Sequence, residues 1–176
     1  LVAHIADMAD RWRAEGPFNR DYDVPHSTAA VAVIAGGIAD NVVPEDCRIH
    51  YEFRNLPGTD DVAMQRQVLD RAAELEPAMK SIEPTAGFSF ENFASCPSFL
   101  TTPDRAAVRL AQYLAETEAT TVVAFGTEAG LFQRAGIDTV VCGPGDISQA
   151  HQADEFVSLE QLARCERFLL RLKNSE

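Results

Sequence analysis

Residues 125–157 read FGTEAGLFQRAGIDTVVCGPGDISQAHQADEFV, and the succession of patterns in this segment sets the expected architecture. Just before it, residues 121–125 (TVVAF) form an apolar, β-branched run with the length of a buried strand. Gly126 ends that run, Thr127 can cap the short helix EAGLFQRAG, and residues 139–142 (TVVC) form a second apolar run. Strand, helix and strand with short connections are typical of a βαβ unit, so we expect a parallel sheet here.

His151 follows the second glycine-rich loop of this segment. Parallel sheets bind ligands at the carboxyl ends of their strands, which is where this loop is expected to lie. Asp146, Asp154 and Glu155 flank the histidine and could orient its imidazole, as carboxylates do for metal-bound histidines. The alternative is a surface or capping histidine, which is the commoner role of an isolated His, because a metal site needs further donors.

Three motifs, GTEAGLFQ, TVVCGPG and SQAHQADEFV, together resemble the carboxyl-terminal end of the acetylornithine deacetylases. These enzymes belong to a family of dinuclear zinc amidohydrolases that also contains desuccinylases, aminoacylases and related peptidases. In that family the His of the "AH…DE" motif is a terminal zinc ligand, and His151 stands at the matching position. The resemblance implies two Zn²⁺ ions in the full-length protein, with Co²⁺ as an alternative metal.

The composition excludes some classes of partner. The chain has 176 residues, of which 46% are hydrophobic, and a formal net charge of −12. This acidity argues against nucleic acid and anionic membranes, because phosphate groups are bound by clustered Lys and Arg. No apolar run approaches the length of a membrane span, and four dispersed cysteines fit reduced thiols in a cytoplasmic protein. Because Leu1 is not a Met and opens an amphipathic pattern, we expect the chain to begin inside a larger protein.

The first half of the chain has the pattern of an antiparallel sheet covered by helices. Periodicity predicts helices over 1–14 and 60–80 and strands over 28–35, 47–54 and 87–94. This order predicts a ferredoxin-like domain, with both helices on one face and its first strand missing. The resemblance supplies that strand, because the family's lid domain has four strands and two helices, and it implies a homodimer formed through the lid.

After the lid the pattern changes to α/β. A helix is predicted over 103–117, and the capping box Ser158-x-x-Gln161 opens a final helix after the βαβ pattern. We therefore expect two domains. Residues 1–97 would form an incomplete lid or dimerisation domain, and residues 98–176 the carboxyl-terminal segment of the zinc-hydrolase catalytic domain.

Two polar residues of the lid are candidate substrate ligands. Asn41 lies in a turn-forming link after a Gly-Gly pair, and its alternative role is to connect two strands. Arg54 lies on the polar face of a predicted strand, where its guanidinium can fork onto a carboxylate or simply be solvated. The resemblance favours binding at both positions, because the family places a substrate-binding Asn and a carboxylate-binding Arg in the matching segments.

The turn Gly126-Thr127-Glu128 is a third candidate binding site. Backbone N–H groups at a helix start attract anions, and an acid in the same turn stabilises the helix dipole in its ordinary structural role. Our hypothesis is that Glu128 pairs with the side-chain ammonium of an N-acetylated ornithine.

The resemblance implies a metal-dependent amide hydrolase that converts N-acetylornithine to ornithine and acetate in arginine biosynthesis. The family's general base and other zinc ligands match positions upstream of Leu1, so no catalytic residue is assigned within this chain. One ligand cannot hold zinc tightly, so the 176 residues alone are expected to be inert and to bind metal poorly. Two other interpretations stay open: a sister desuccinylase or aminoacylase, and a non-catalytic dimerisation module derived from the lid.

Overall fold

This computed structural model describes residues 1–175 of the chain. The helices and strands, in chain order, are α1 (Val2–Glu15), β1 (Thr28–Gly36), β2 (Cys47–Arg54), α2 (Asp61–Lys80), α3 (Ala106–Ala115), α4 (Ala129–Arg134), a 3₁₀ turn (Ile147–Gln149) and α5 (Leu159–Lys173). They belong to two compact units. The first comprises Leu1–Ser98 with Val122–Gly126, and the second comprises Phe99–Thr121 with the residues from Thr127 onward. Within residues 1–175, no helix has both the length and the apolar character that crossing a bilayer requires.

The first unit is built on one antiparallel pair of strands. β1 and β2 pair along their whole lengths, with Thr28 opposite Arg54 at one end and Gly36 opposite Cys47 at the other. A register shift in the middle of β1 marks a bulge, which increases the local twist. Both strands are confirmed where the sequence predicts them, because β-branched and alternating apolar residues fit a sheet with one buried face.

Helices α1 and α2 cover one face of this hairpin and form the core of the unit. Ile5 and Met8 of α1 and Val68 of α2 are at most 1% exposed, and they pack with Tyr51 and Phe53 of β2. The predicted placement of both helices on one face of the sheet is therefore confirmed. Because side chains alternate along a strand, the polar residues of β2 lie on the opposite face.

The ends of these two helices follow the expected signals. α1 ends at Gly16, whose φ of 79° is a left-handed value that glycine adopts without steric cost. The Asp60 carboxylate caps α2 by accepting a 2.9 Å hydrogen bond from the backbone N–H of Ala63.

The predicted strand over residues 87–94 does not form, and the structure corrects this part of the fold prediction. These residues are neither helix nor strand. The segment is held by side chains instead: the Phe88 N–H donates to the Glu76 carboxylate at 3.1 Å, and the Phe93 ring lies 5.5 Å from the His50 ring. In a ferredoxin-like sheet, the strand after a helix does not pair with the strand before that helix, because a third strand lies between them. Residues 1–175 do not supply this third strand. Without that neighbour the segment has no ladder to join.

The second unit consists of helices joined by irregular segments. α3 packs against α5, and Arg171 of α5 donates to the carbonyl of Leu114 at 3.2 Å and to the carboxylate of Glu116. α3 begins at Ala106, three residues later than the sequence predicts. The capping box of α5 is confirmed, with both of its reciprocal hydrogen bonds present.

The parallel sheet predicted for this region is absent from residues 1–175. Residues 121–125 and 139–142 form no strand, and Phe125 and Val141 stay 37% and 45% exposed. An apolar run becomes a parallel strand only when neighbouring strands pair with it and helices cover both of its faces. Here residues 121–125 lie largely in the first compact unit, and residues 139–142 lie in the second. Apolar pattern alone was therefore not enough to produce a ladder.

Candidate functional site

The loop that carries His151 begins with a capped turn. Asp146 precedes the 3₁₀ turn and accepts hydrogen bonds from the side chain and the backbone of Ser148, at 2.6 and 2.8 Å. These two hydrogen bonds lower the pKa of the Asp146 carboxyl, because they stabilise its ionised form. The start of the loop is thus fixed by a carboxylate that binds its own turn.

A pair of glutamines ties the same loop to α5. The amides of Gln149 and Gln161 exchange two hydrogen bonds, at 3.1 and 2.8 Å. The Gln161 side chain also accepts a hydrogen bond from the backbone N–H of Ser158. The backbone carbonyl of Gln149 accepts a hydrogen bond from the backbone N–H of Phe156. The loop therefore closes on itself before α5 begins.

His151 lies at the exposed centre of this loop in an uncommon backbone conformation. Its φ is 57°, in the left-handed region that few residues other than glycine occupy. Such conformations cost about 1–3 kcal/mol and persist only where surrounding interactions hold them. The holding interaction here is a 2.8 Å hydrogen bond from the backbone N–H of His151 to the carboxylate of Glu155.

This geometry corrects the expected role of the flanking carboxylates. Asp146 binds Ser148 and Glu155 binds the backbone of His151, so neither is engaged with the imidazole ring, and the exposed Asp154 carboxylate forms no hydrogen bond within the described residues. The two carboxylates shape the loop and leave the imidazole of His151 exposed to solvent. Whether the ring binds metal stays a prediction.

The described residues around this loop could supply one metal ligand, His151, but not a complete metal site. In the part of the chain that the structure describes, no group of three or more His, Cys, Asp or Glu side chains is placed to hold an ion. A zinc site needs three or four protein ligands. The exposed imidazole of His151 is chemically suited to be one of them, and the remaining donors would have to come from elsewhere.

The residues of the Gly126 turn are placed around the start of α4. Glu128 is exposed and stands directly before this six-residue helix, whose first intrahelical bond runs from the Leu131 N–H to the Glu128 carbonyl at 2.9 Å. The Thr127 hydroxyl accepts from the N–H of Ala129 at 3.3 Å, but the N-cap position of α4 is Glu128 and no side chain among the described residues caps the helix, so the predicted capping by Thr127 is wrong. Gly126 belongs to the first compact unit, whereas Thr127 and Glu128 belong to the second.

Asn41 lies in the connection between β1 and β2. It is exposed, and a turn closes beside it through a 3.2 Å hydrogen bond from the N–H of Val42 to the carbonyl of Ala39. The base of this connection is tight, because a Cβ at Gly36 would lie 2.7 Å from the carbonyl oxygen of Asp46. The close approach at the base positions the loop that carries Asn41.

Arg54 lies at the opposite end of the hairpin from Asn41. It is the last residue of β2, and its guanidinium forms a 2.9 Å ion pair with Glu52 on the polar face of the sheet. Seven residue steps separate Arg54 from Cys47, a distance of about 23 Å at the usual rise of a strand. The structure therefore does not bring Arg54 and Asn41 together within the first unit.

Two contacts of the loop leave no clear signal in the sequence. The reciprocal glutamine bonds join residues that are 12 positions apart, and no local motif indicates such a pairing. The Glu155 contact spans only four residues, but a carboxylate near a histidine in sequence can bind either the ring or the backbone, and the residue order does not distinguish the two.

Comparison with known proteins agrees with the resemblance seen in the sequence. Residues 1–80 match the family described as the peptidase dimerisation domain. An acetylornithine deacetylase of Myxococcus xanthus is 34% identical over 160 residues, which is 85% of this chain and 38% of that protein. The acetylornithine deacetylases of Salmonella arizonae and Salmonella paratyphi B are each 30% identical over 159 residues, covering 89% of this chain and 39% of each protein. The chain thus spans less than two fifths of the length of these relatives.

Proposed function

We infer that this chain belongs to the amidohydrolase family of the acetylornithine deacetylases and is part of an enzyme that releases acetate from N-acetylornithine. The observation that carries this proposal is similarity to such deacetylases over 85% of the chain, together with a dimerisation-domain match over residues 1–80. The antiparallel hairpin with two helices on one face is consistent with that domain.

We propose different roles for two segments of the chain. Residues 1–97 would be the lid and would form a homodimer, which the dimerisation-domain match supports. Residues 98–176 would be a carboxyl-terminal segment of the catalytic domain. The proposed setting is the cytoplasm, as part of arginine biosynthesis.

Exposed apolar surface in the second unit supports the idea that further chain packs there. α5 contains no buried residue among those described, and Leu159, Leu169 and Leu170 are each more than half exposed. Soluble monomers rarely leave a large contiguous apolar patch uncovered. Because the matched region is 38% of the relative's length, the rest of an enzyme of that length would be available to cover it.

The proposed metal role belongs to His151, whose imidazole would be one ligand of a metal held jointly with donors from outside these residues. A bound divalent metal would activate water and polarise the substrate carbonyl. This chain's own contribution is to present the imidazole from a closed loop. Residues 1–176 alone supply no set of three ligands among the described residues, so we expect them to be inert when isolated.

The proposed contribution to substrate selection is electrostatic. Because Arg54 and Asn41 lie at opposite ends of the hairpin, we treat them as separate candidates: Arg54 would bind a substrate carboxylate, or Asn41 would hydrogen-bond a polar group of the substrate. The turn of Gly126 and Thr127 would accommodate the substrate beside Glu128. The exposed Glu128 carboxylate would pair with the δ-ammonium of ornithine, and this attraction would strengthen as the bound substrate displaces water from the turn.

The test is a pair of substrates that differ in one group. N-acetylornithine and N-acetylnorvaline have the same carbon skeleton, but only the first carries a side-chain ammonium. We expect the full-length protein to prefer N-acetylornithine and Glu128→Lys to lose that preference in kcat/KM. Glu118→Lys is the matched control, because its exposed carboxylate takes no hydrogen bond within the described residues and should not affect selectivity.

The two other candidate functions are separated by measuring the metal content of the full-length protein and its activity on a panel of N-acyl amino acids that includes N-succinyl substrates. A sister desuccinylase or aminoacylase would turn over other N-acyl amino acids faster than N-acetylornithine. A dimerisation module without catalysis would bind no stoichiometric metal and hydrolyse none of the panel. Either result would contradict the deacetylase proposal.

A further inference from the structure

The hydrogen bond between Glu155 and the backbone of His151 assigns a role to Glu155 that the sequence did not predict. The Glu155 Oε2 atom lies 2.8 Å from the His151 nitrogen. Because a charged acceptor makes a stronger hydrogen bond than a neutral one, this contact can offset much of the cost of the left-handed backbone at His151.

Other hydrogen bonds fix both ends of the same loop. Asp146 caps the turn at its start, and the reciprocal bonds between Gln149 and Gln161 anchor it to α5. The Gln152 side chain adds a 2.8 Å bond to the carbonyl of Ser148. With its ends held, the direction of the exposed imidazole depends mainly on the backbone conformation at His151 and on its side-chain rotamer.

We propose that Glu155 is a positioning residue, which holds His151 in the left-handed conformation so that its imidazole is presented to the metal. This inference rests on the proposed function, since it takes His151 to be a metal ligand. It differs from the usual arrangement in which a carboxylate hydrogen-bonds the ring of a metal-bound histidine. Here the carboxylate acts on the main chain and leaves both ring nitrogens free of hydrogen bonds within the described residues.

Three variants of the full-length protein test the role of the hydrogen bond between the Glu155 carboxylate and the backbone of His151. Glu155→Ala removes the acceptor, and Glu155→Gln keeps an acceptor oxygen but removes the charge. Asp154→Ala is the matched control, because it removes a neighbouring exposed carboxylate that accepts no hydrogen bond in the described part of the chain.

The first readout is hydrogen exchange at the His151 amide, resolved by fragmentation mass spectrometry on the metal-free protein. Loss of a hydrogen bond to a charged acceptor should make this amide exchange about tenfold to hundredfold faster in Glu155→Ala. Glu155→Gln should show a smaller increase, and Asp154→Ala none. Unchanged exchange in Glu155→Ala would overturn the proposal.

The second readout is zinc affinity, measured by competition with a chelating dye. Outer-shell partners of metal ligands typically contribute about 10–100-fold to metal affinity, so we expect a loss of that size in Glu155→Ala with recovery in Glu155→Gln. Faster exchange without any loss of zinc affinity would refute the positioning role. Equal loss in Glu155→Gln and Glu155→Ala would refute the hydrogen-bond mechanism as well.

A variant at the histidine separates this inference from the proposed function. If His151→Gln binds zinc as tightly as the parent protein, His151 is not a ligand and the proposed function fails at this residue. If His151→Gln loses zinc while Glu155→Ala keeps it, the ligand role stands and only the positioning role is rejected.

Discussion

Replacing Gly36 or Gly126 by alanine should affect the stability of the first unit differently, because only Gly36 lies close to other backbone atoms. At Gly36 an added Cβ would lie 2.7 Å from the carbonyl oxygen of Asp46 and 3.1 Å from the Cα of Cys47. At Gly126 an added Cβ would meet no atom within 4 Å. Neither residue has a positive φ, so steric contact is the main difference between them.

The expected loss of unfolding free energy in Gly36→Ala depends on which atoms must move to make room for the added Cβ. The two atoms nearest to the added Cβ are backbone atoms of Asp46 and Cys47, at the start of the paired strand, and they cannot rotate away as a side chain can. Forcing extra atoms into such a contact costs typically about 1–3 kcal/mol. Because Gly36 is the last residue of β1 and the adjoining loop can shift, we expect a value in the lower half of that range. Gly126→Ala should be neutral or stabilising by up to about 1 kcal/mol, since alanine restricts the unfolded chain.

The single tryptophan supplies the assay. Trp12 packs edge-on against Phe53 with ring centroids 5.7 Å apart, so its fluorescence reports the packing of α1 on the sheet. Urea unfolding followed by this signal should give a lower midpoint for Gly36→Ala than for the parent protein, with a similar slope. A Gly126→Ala variant that is as destabilised as Gly36→Ala, or a Gly36→Ala variant as stable as the parent, would refute the argument.

Three further outcomes follow from named contacts. Ser27 is 2% exposed and accepts a 3.1 Å hydrogen bond from a backbone N–H, so Ser27→Ala should cost about 1–3 kcal/mol in the same unfolding assay; a smaller loss would mean that water replaces the hydroxyl. Hydrogen bonding and charge attraction from Arg171 lower the pKa of Glu116, so an NMR titration should place that pKa below the value of an unperturbed glutamate, and Arg171→Gln should raise it. Because the folded-state pKa is the lower one, the stabilising effect of this pair should be full at neutral pH and disappear as the pH falls through that pKa; a stability difference that persists in acid would contradict the assignment. Arg54→Gln breaks an ion pair whose side chains are 63% and 53% exposed, so it should change the unfolding free energy by less than about 1 kcal/mol. Under the proposed function, the same change in the full-length protein should raise KM for N-acetylornithine, and an unchanged KM would remove Arg54 from the binding site.

Elements that rest on local patterns were predictable. The amphipathic spacing of α1, the alternation of β2 and the capping box of α5 each identify an element from neighbouring residues, and all three elements are present. The motifs around His151 similarly indicated the relatives that the comparison found, because they are contiguous in sequence. Local chemistry was sufficient in each of these cases.

Features that depend on distant partners were not predictable. Residues 87–94 and 139–142 have strand-like composition, yet a strand exists only where a neighbouring strand offers its backbone groups. Apolar periodicity contains no information about whether that neighbour is available. The separation of Asn41 from Arg54 likewise depends on the register of the hairpin, which places them at its two ends.

The sequence by itself determined the helices, the antiparallel pair and the similarity to acetylornithine deacetylases, because these depend on side chains close together in the chain. Only the tertiary structure decided what the carboxylates around His151 do. Glu155 is four residues from His151 in sequence, a spacing that is compatible with a contact to the ring or to the backbone, and in the structure the carboxylate accepts from the backbone N–H of His151, whose φ is 57°. A backbone dihedral angle is set by the whole loop and its anchors, so residue order alone could not distinguish the two.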